Sequence, residues 1–209
     1  MPEQIPTPPP VDYTELAPRP PDGPVRLADY AGDWAEVEIE IGFGRGMFFY
    51  QRAQVVPHHL LLGFEVKKKL AYQVAKRCEQ LQLVGARAMF GDIRDVLPRI
   101  EPAGQVARVF MNFPDPWWKK RHGKRRLVGE PLLEDLARLL RPGGEFFMQT
   151  DVEERAHVHA AEVAEHPSFE LGPNQGFIEN NPYDAVSNRE KRAVEDGLPI
   201  YRVLVRRVG

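Results

Sequence analysis

Cysteine is nearly absent: Cys78 is the only one in 209 residues. A single thiol makes neither an intrachain disulfide nor a cysteine-based zinc site. Its spacing from Val74 and Leu81 puts Cys78 on the apolar stripe of a helix, the setting of a buried, inert thiol. Long apolar runs are missing too. No stretch approaches the ~18 residues that a membrane helix needs. No basic-then-apolar pattern opens the chain, so the cytoplasm is the default expectation. Strong net charge is also lacking: 28 Lys and Arg stand against 30 Asp and Glu, a formal balance of −2. That argues against a general nucleic-acid coat protein. The apolar fraction, 43%, suffices for one α/β domain with a sizeable core.

The charge that is present is unevenly placed. Acids are scattered, whereas six of the eight residues from Lys119 to Arg126 are Lys or Arg. Such a block on a near-neutral protein suits a specific RNA or DNA contact. Immediately before it runs Asn112-Phe113-Pro114-Asp115-Pro116-Trp117-Trp118. A carboxylate, flat aromatic surfaces and dense positive charge in one turn-rich stretch suggest chemistry on a nucleobase whose phosphate backbone is held nearby. Trp117 can stack on a base, at roughly 1–3 kcal/mol, or pack beneath the loop; Trp118 reads as packing or as a lid.

Proline is abundant at one end only, with nine in the first 24 residues. Proline removes backbone donors and forbids regular helix. Residues 1–33 therefore read as a disordered or extended tail, and 34–209 as the domain. Within the domain Glu36 to Ile41 alternates acid with Val and Ile, a strand signal. Gly42-Phe43-Gly44-Arg45-Gly46 follows, then a helix from Met47 to Gln54. Leu60 to Val66 predicts a second strand, and Lys67 to Leu83 an amphipathic helix with Leu70, Val74, Cys78 and Leu81 on one face. Further strands are expected at Ala86–Phe90, Val106–Met111, Glu145–Thr150, Ser168–Leu171 and Ile200–Arg206. Helices are expected after Asp92, around Leu132 to Leu140, and at Val152 to Val163. A polar loop is expected up to about Glu195. This alternation argues for an α/β fold with a mainly parallel sheet and helices on both faces. Ligands in such sheets bind outside the carboxyl ends of the strands. Glu40, Glu65, Asp92, Asp115 and Asp151 all fall at those ends.

The glycine turn after the first strand lets a backbone approach a ligand closely at Gly42 and Gly44. Its spacing differs from the Gly-x-Gly-x-x-Gly of dinucleotide sites. Glu65 lies where an acid hydrogen-bonds a ribose diol, and Asp92 is placed for an adenine amino group. Each acid alone is more often a helix N-cap or a solvated charge; together they outline a nucleoside. Glu40 beside the turn would repel a pyrophosphate and attract a cation. The acids therefore favour S-adenosyl-L-methionine, with its sulfonium and no phosphate, over NAD. No metal site is apparent.

Glu40-Ile-Gly-Phe-Gly-Arg-Gly46, Phe64-Glu65, Gly91-Asp92 and Asn112 to Trp117 with the basic block closely resemble the bacterial tRNA (guanine-N7)-methyltransferases, the TrmB family. The resemblance runs from about Val37 to the C-terminus. It implies a class I, Rossmann-like methyltransferase fold with a seven-stranded, mainly parallel sheet and an antiparallel C-terminal strand. It implies transfer of a methyl group from S-adenosyl-L-methionine to N7 of a variable-loop guanosine in tRNA. By motif matching, Glu40, Glu65, Asp92 and Asp115 take cofactor-pocket positions, and Asp115 is also the presumed catalytic acid. Lys119 and Asp151 match substrate contacts. Arg121, His122, Lys124, Arg125 and Arg126 match the RNA-binding run. The family's Thr-x-aromatic-Glu substrate motif reads Ser187-Asn188-Arg189-Glu190 here, which keeps the hydroxyl and the acid and replaces the aromatic with Arg189. Membrane association is not implied, and the choice between monomer and homodimer is undetermined by the sequence.

Three rival classes share parts of this pattern. An amino-methyltransferase also places Asn/Asp-Pro-aromatic after the fourth strand, though here Trp-Trp follows the Asp-Pro pair. An NAD-linked oxidoreductase would share the glycine turn, and a non-catalytic RNA-binding module would share the basic block.

Overall fold

The computed structural model describes residues 12–114 and 129–209. Asp115, Trp117, Trp118, Lys119, Arg121, His122, Lys124, Arg125 and Arg126 lie outside the described residues.

Chain order gives strands β1 (Val25–Arg26), β2 (Glu36–Ile41), β3 (His59–Glu65), β4 (Ala86–Phe90), β5 (Ile100–Glu101), β6 (Val106–Asn112), β7 (Leu140–Thr150), β8 (Phe169–Leu171), β9 (Phe177–Ile178) and β10 (Tyr201–Arg207). The helices are α1 (Met47–Val55), α2 (Lys68–Gln80), α3 (Ile93–Val96), α4 (Glu130–Leu139), α5 (Glu153–Ala164) and α6 (Asn188–Glu195). Seven strands form the sheet in the order β4-β3-β2-β6-β7-β10-β8, with the two-residue β9 beside β10. The first five are mutually parallel, and β10 runs antiparallel to both its neighbours. This is the expected sheet with its antiparallel C-terminal strand.

Side-chain alternation on β2 divides the two layers. Ile39 and Ile41 enter one core with Leu62, Val109 and Phe146, to which α3, α4 and α5 contribute Ile93, Leu136 and Val163. On the other face Phe49 of α1 and Val74 and Cys78 of α2 pack on Leu61 and Ala88. A third cluster joins Phe48, Phe110, Phe147 and Tyr183. Each such fully buried side chain contributes about 1.5–3 kcal/mol. The buried stripe of α2 is Ala71, Val74 and Cys78; Leu70 faces a cavity instead. Burial pushes the Cys78 thiol up to about 12, so it stays protonated and inert, as its spacing implies. Gly46, the N-cap of α1, has φ 78. A Cβ there would stand 2.8 Å from Val74, so α2 can close on the turn only over glycine.

Two expectations need correction. The segment before Trp34 is docked from Asp12 onward. Ala17, Val25 and Leu27 are buried. Pro18 O accepts from Phe90 N at 2.7 Å, and Arg19 lies 4.7 Å from the Phe90 ring centre. β1 pairs with β5, and Arg99 donates to Gly23 O at 2.6 Å. Proline lacks an N–H but keeps its carbonyl. An extended proline-rich strand can therefore satisfy the outward donors of the edge strand β4 and cover it. The second correction concerns the polar stretch before Glu195. It contains α6, opened by a capping box in which Ser187 Oγ accepts from Glu190 N at 3.1 Å and Glu190 Oε2 accepts from Ser187 N at 3.3 Å. Ser-x-x-Glu is the signature of that cap. Its helix is polar enough to read as loop.

Candidate active site

A cavity of about 520 Å³ opens at the carboxyl ends of β2, β3, β4 and β6 and reaches the first turn of α6. Strand order fixes the sequence of groups across it: Asp92 after β4, Glu65 ending β3, Glu40 on β2, Asn112 ending β6, then Asp151 after β7. Glu40, Gly42, Gly44, Glu65, Asp92 and Ser187 all line the cavity. Asp151 does not; it is tied to the cavity wall through Arg189.

Glu65 shapes the turn that follows β2. Its Oε2 accepts from Gly44 N at 3.0 Å and its Oε1 from Lys67 N at 2.9 Å. Each carboxylate oxygen keeps a second lone pair for a ligand. Gly44 has φ 56 and no atom within 4 Å of where a Cβ would stand, so the turn leaves room for close approach. Asp92 caps α3 by accepting from Arg94 N at 3.0 Å and pairs with the Arg94 guanidinium. The Arg94 hydrogen bond lowers its pKa below the usual carboxylate range.

Glu40 is the exceptional group. It is 1% exposed. Its Oε1 accepts from Asn112 Nδ2 at 3.0 Å, whereas its Oε2, equally buried, has no partner among the described residues. Burial, with the nearby Glu65 charge adding to it against the Asn112 hydrogen bond, pushes the carboxyl up to about 8. A buried acceptor without a donor costs roughly 1–3 kcal/mol, more when charged. Such a group in a cavity wall can take a cation as its partner. The open glycine turn and the two acids beyond it fit the adenosine and the positive centre of S-adenosyl-L-methionine.

Behind Glu40 runs a chain of amides that the sequence did not reveal. Gln149 Nε2 donates to Asn112 Oδ1 at 2.7 Å and to Glu190 Oε2 at 2.8 Å. Glu190 is 3% exposed; Arg202 at 3.0 Å and Asn181 also donate to it. Its carboxylate is thus engaged on every side and serves the cap of α6. The one sequence signal for Gln149 is a polar residue directly after the apolar run Phe146 to Met148. Arg189, the departure from the family pattern, forks onto Asp151, with Nε to Oδ2 at 3.1 Å and Nη2 to Oδ2 at 2.8 Å. Its guanidinium also stands 5.9 Å from the Phe113 ring centre. Phe113 has φ 50, which costs about 1–2 kcal/mol, and its amide donates to Gln149 O at 2.8 Å.

Among the described residues Glu36, Glu38 and His59 form the one group of carboxylates and imidazoles close enough for a metal. Arg52, Arg108 and Arg141 already engage those carboxylates. No described helix is long and apolar enough to cross a membrane.

Comparison with known proteins agrees with this geometry. The family described as "Putative methyltransferase" matches residues 35–203. A tRNA (guanine-N(7)-)-methyltransferase of Synechococcus sp. (strain JA-3-3Ab) is 39% identical over 171 residues, spanning 82% of this chain and 72% of that relative. The tRNA (guanine-N(7)-)-methyltransferase of Anaeromyxobacter dehalogenans (strain 2CP-C) is 36% identical over 184 residues, 88% of this chain and 90% of the relative. A SAM-dependent methyltransferase from Aquifex aeolicus shares the fold, with TM-score 0.58, 13% identity and 87% of both chains covered. The fold, the acid-lined cavity and two relatives matched over most of their length converge: the chain belongs to the tRNA (guanine-N7)-methyltransferase family.

Proposed function

We propose that the protein transfers a methyl group from S-adenosyl-L-methionine to N7 of a guanine in tRNA, at a variable-loop guanosine, in the cytoplasm. Residues 34–209 form the catalytic domain in this reading, with residues 12–33 strapped along its edge. The observation that carries it is the unpartnered, fully buried Oε2 of Glu40 at the cavity wall; kinship to the named relatives supplies the acceptor.

S-adenosyl-L-methionine, when bound, supplies a methyl group activated by a positively charged sulfur. Glu40 would hold its cationic end, Gly42 and Gly44 would admit it, and Glu65 and Asp92 would hold ribose and adenine. N7 of guanine has an in-plane lone pair and no proton, so no residue need act as a base on it. Orientation then carries most of the rate, with a general ceiling of ~7–11 kcal/mol. Asp115 would sit beside the guanine and offset the positive charge that the ring gains. Lys119 and the run Arg121, His122, Lys124, Arg125 and Arg126 would hold tRNA phosphates. Asp151, Ser187 and Glu190 would support the base side, Asp151 through Arg189 and the last two through the cap that fixes α6.

The test is direct. Unmodified tRNA and methyl-labelled S-adenosyl-L-methionine should yield label in N7-methylguanine, located by chain cleavage at that base. Label on an exocyclic amine, or none, overturns the reading. Asp115→Ala should abolish most turnover while tRNA affinity persists.

A further inference from the structure

The functional reading leaves one group without a role: Arg189, where the family pattern has an aromatic. We propose that Arg189 is a specificity-determining residue that recognises the six-position oxygen of the target guanine and so rejects adenine. The proposal rests on the methyl-transfer reading above and extends it to how the purine is chosen.

Strand order places Arg189 on the acceptor side of the cavity. Asp92 and Glu65 stand at the β4 and β3 ends, where a nucleoside would lie, and Glu40 stands at β2. Beyond it, at the β6 and β7 ends, come Phe113 and Asp151, bridged by Arg189 from α6. A base approaching the reactive end of a ligand in this cavity meets that wall. Arg189 lines the cavity, and its side chain is 51% exposed.

The guanidinium is half committed. Nε and Nη2 are spent on the two Asp151 oxygens. Nη1 makes no hydrogen bond among the described residues, which leaves its two N–H groups for a ligand. The Asp151 fork fixes the guanidinium plane, so little side-chain freedom is lost when it binds. Guanine carries acceptors at N7 and O6, whereas adenine carries a donor at the six position. N7 must keep its lone pair for the incoming methyl group and can accept no hydrogen bond from the protein. A fixed N–H pair beside the base therefore has one productive partner, O6. Facing adenine, the same pair would meet an amino group that donates, leaving both sides unpaired.

The experiment places two tRNAs in one tube with the full-length protein and labelled methyl donor. They differ only at the target nucleotide, which is inosine in one and adenosine in the other. Both keep N7; only inosine keeps the oxygen. The wild type should place nearly all label in the inosine tRNA. Arg189→Met removes the donors and should shift the partition toward adenosine by roughly tenfold to a hundredfold, the value of a charge-assisted hydrogen bond. Arg189→Lys, which keeps charge and a donor but loses the fork, should fall between. If both variants lose total activity with the partition unchanged, Arg189 is only a latch on Asp151 and the proposal is overturned. If the wild type labels ordinary guanosine tRNA but does not prefer inosine, the proposal fails while the activity stands. If it labels no guanine at all, the activity reading falls and takes the proposal with it.

Discussion

Glu38 and Glu40 sit two residues apart on one strand, share one face and are both shut from water, at 0% and 1% exposed. Their chemistry is opposite. Glu38 accepts from Arg52 at 2.6 and 2.8 Å, from Arg108 at 2.9 Å, and lies 3.1 Å from His59. Burial alone would raise its pKa, but those hydrogen bonds and charges hold it at about 2. Among the described residues Glu40 has one amide donor and no cation, and burial pushes it up to about 8. A buried carboxylate saturated by guanidinium groups is part of the scaffold. One left open toward a cavity is a candidate for binding a counter-charge.

The largest test of that contrast is Glu38→Ala. It leaves Arg52 buried beside Phe110 and Tyr183 with its main partner gone, and should destabilise the fold by about 3–5 kcal/mol in chemical unfolding. A loss no larger than that of Glu40→Ala would erase the distinction. Glu40→Gln comes next. The amide oxygen can still accept from Asn112, so at pH 5, where the folded carboxyl is protonated, the unfolding midpoint should hardly move. Affinity for S-adenosyl-L-methionine, read by calorimetry, should fall roughly tenfold to a hundredfold. Unchanged affinity would remove Glu40 from the site.

Acidity separates the two groups a third way, because their linkage has opposite sign. Glu38 is depressed when folded, so its stabilisation is present above the unfolded value of 4.5 and is lost as pH falls toward about 2. Glu40 is raised, so its contribution is complete below 4.5 and is lost as pH rises through about 8. Thermal scans from pH 5 to 8.5 should show a decline that Glu40→Gln abolishes. Over the same range a cation must displace the Glu40 proton, so affinity for S-adenosyl-L-methionine should rise with pH and level off near 8. A flat profile in the wild type would contradict this. The smallest effect belongs to Ser187→Ala, which spares both carboxylates. Loss of the α6 cap should cost about 0.5–2 kcal/mol, without changing either pH slope.

Much of the sheet was legible because its strands announce themselves locally. Glu36–Ile41 and Ala86–Phe90 appear with the expected bounds, and of the acids at strand ends Glu40, Glu65 and Asp92 fall around one cavity. Two elements escaped for identifiable reasons. α6 is short and polar, and its Ser187 and Glu190 resemble a substrate motif as much as a capping box. The proline-rich segment carries no periodicity of its own; its order comes from carbonyls that meet Phe90 and Arg99. Gln149 stayed hidden because its partners Asn112 and Glu190 are distant in sequence.

By itself the sequence determined the order of β2, β3, β4, β6, β7, β8 and β10 and of helices α1 to α5, the glycine turn and the family motif, all of which are written in neighbouring residues. It also showed that acids alternate along β2. Only the tertiary structure decided what each acid is for. Arg52 arrives from α1 and Arg108 from β6 to neutralise Glu38, whereas the chain sends no cation to Glu40 among the described residues. The physical reason is range. Strand pattern is a property of nearest neighbours, but the ionisation of a buried carboxylate depends on which charges and donors the fold brings within a few ångströms.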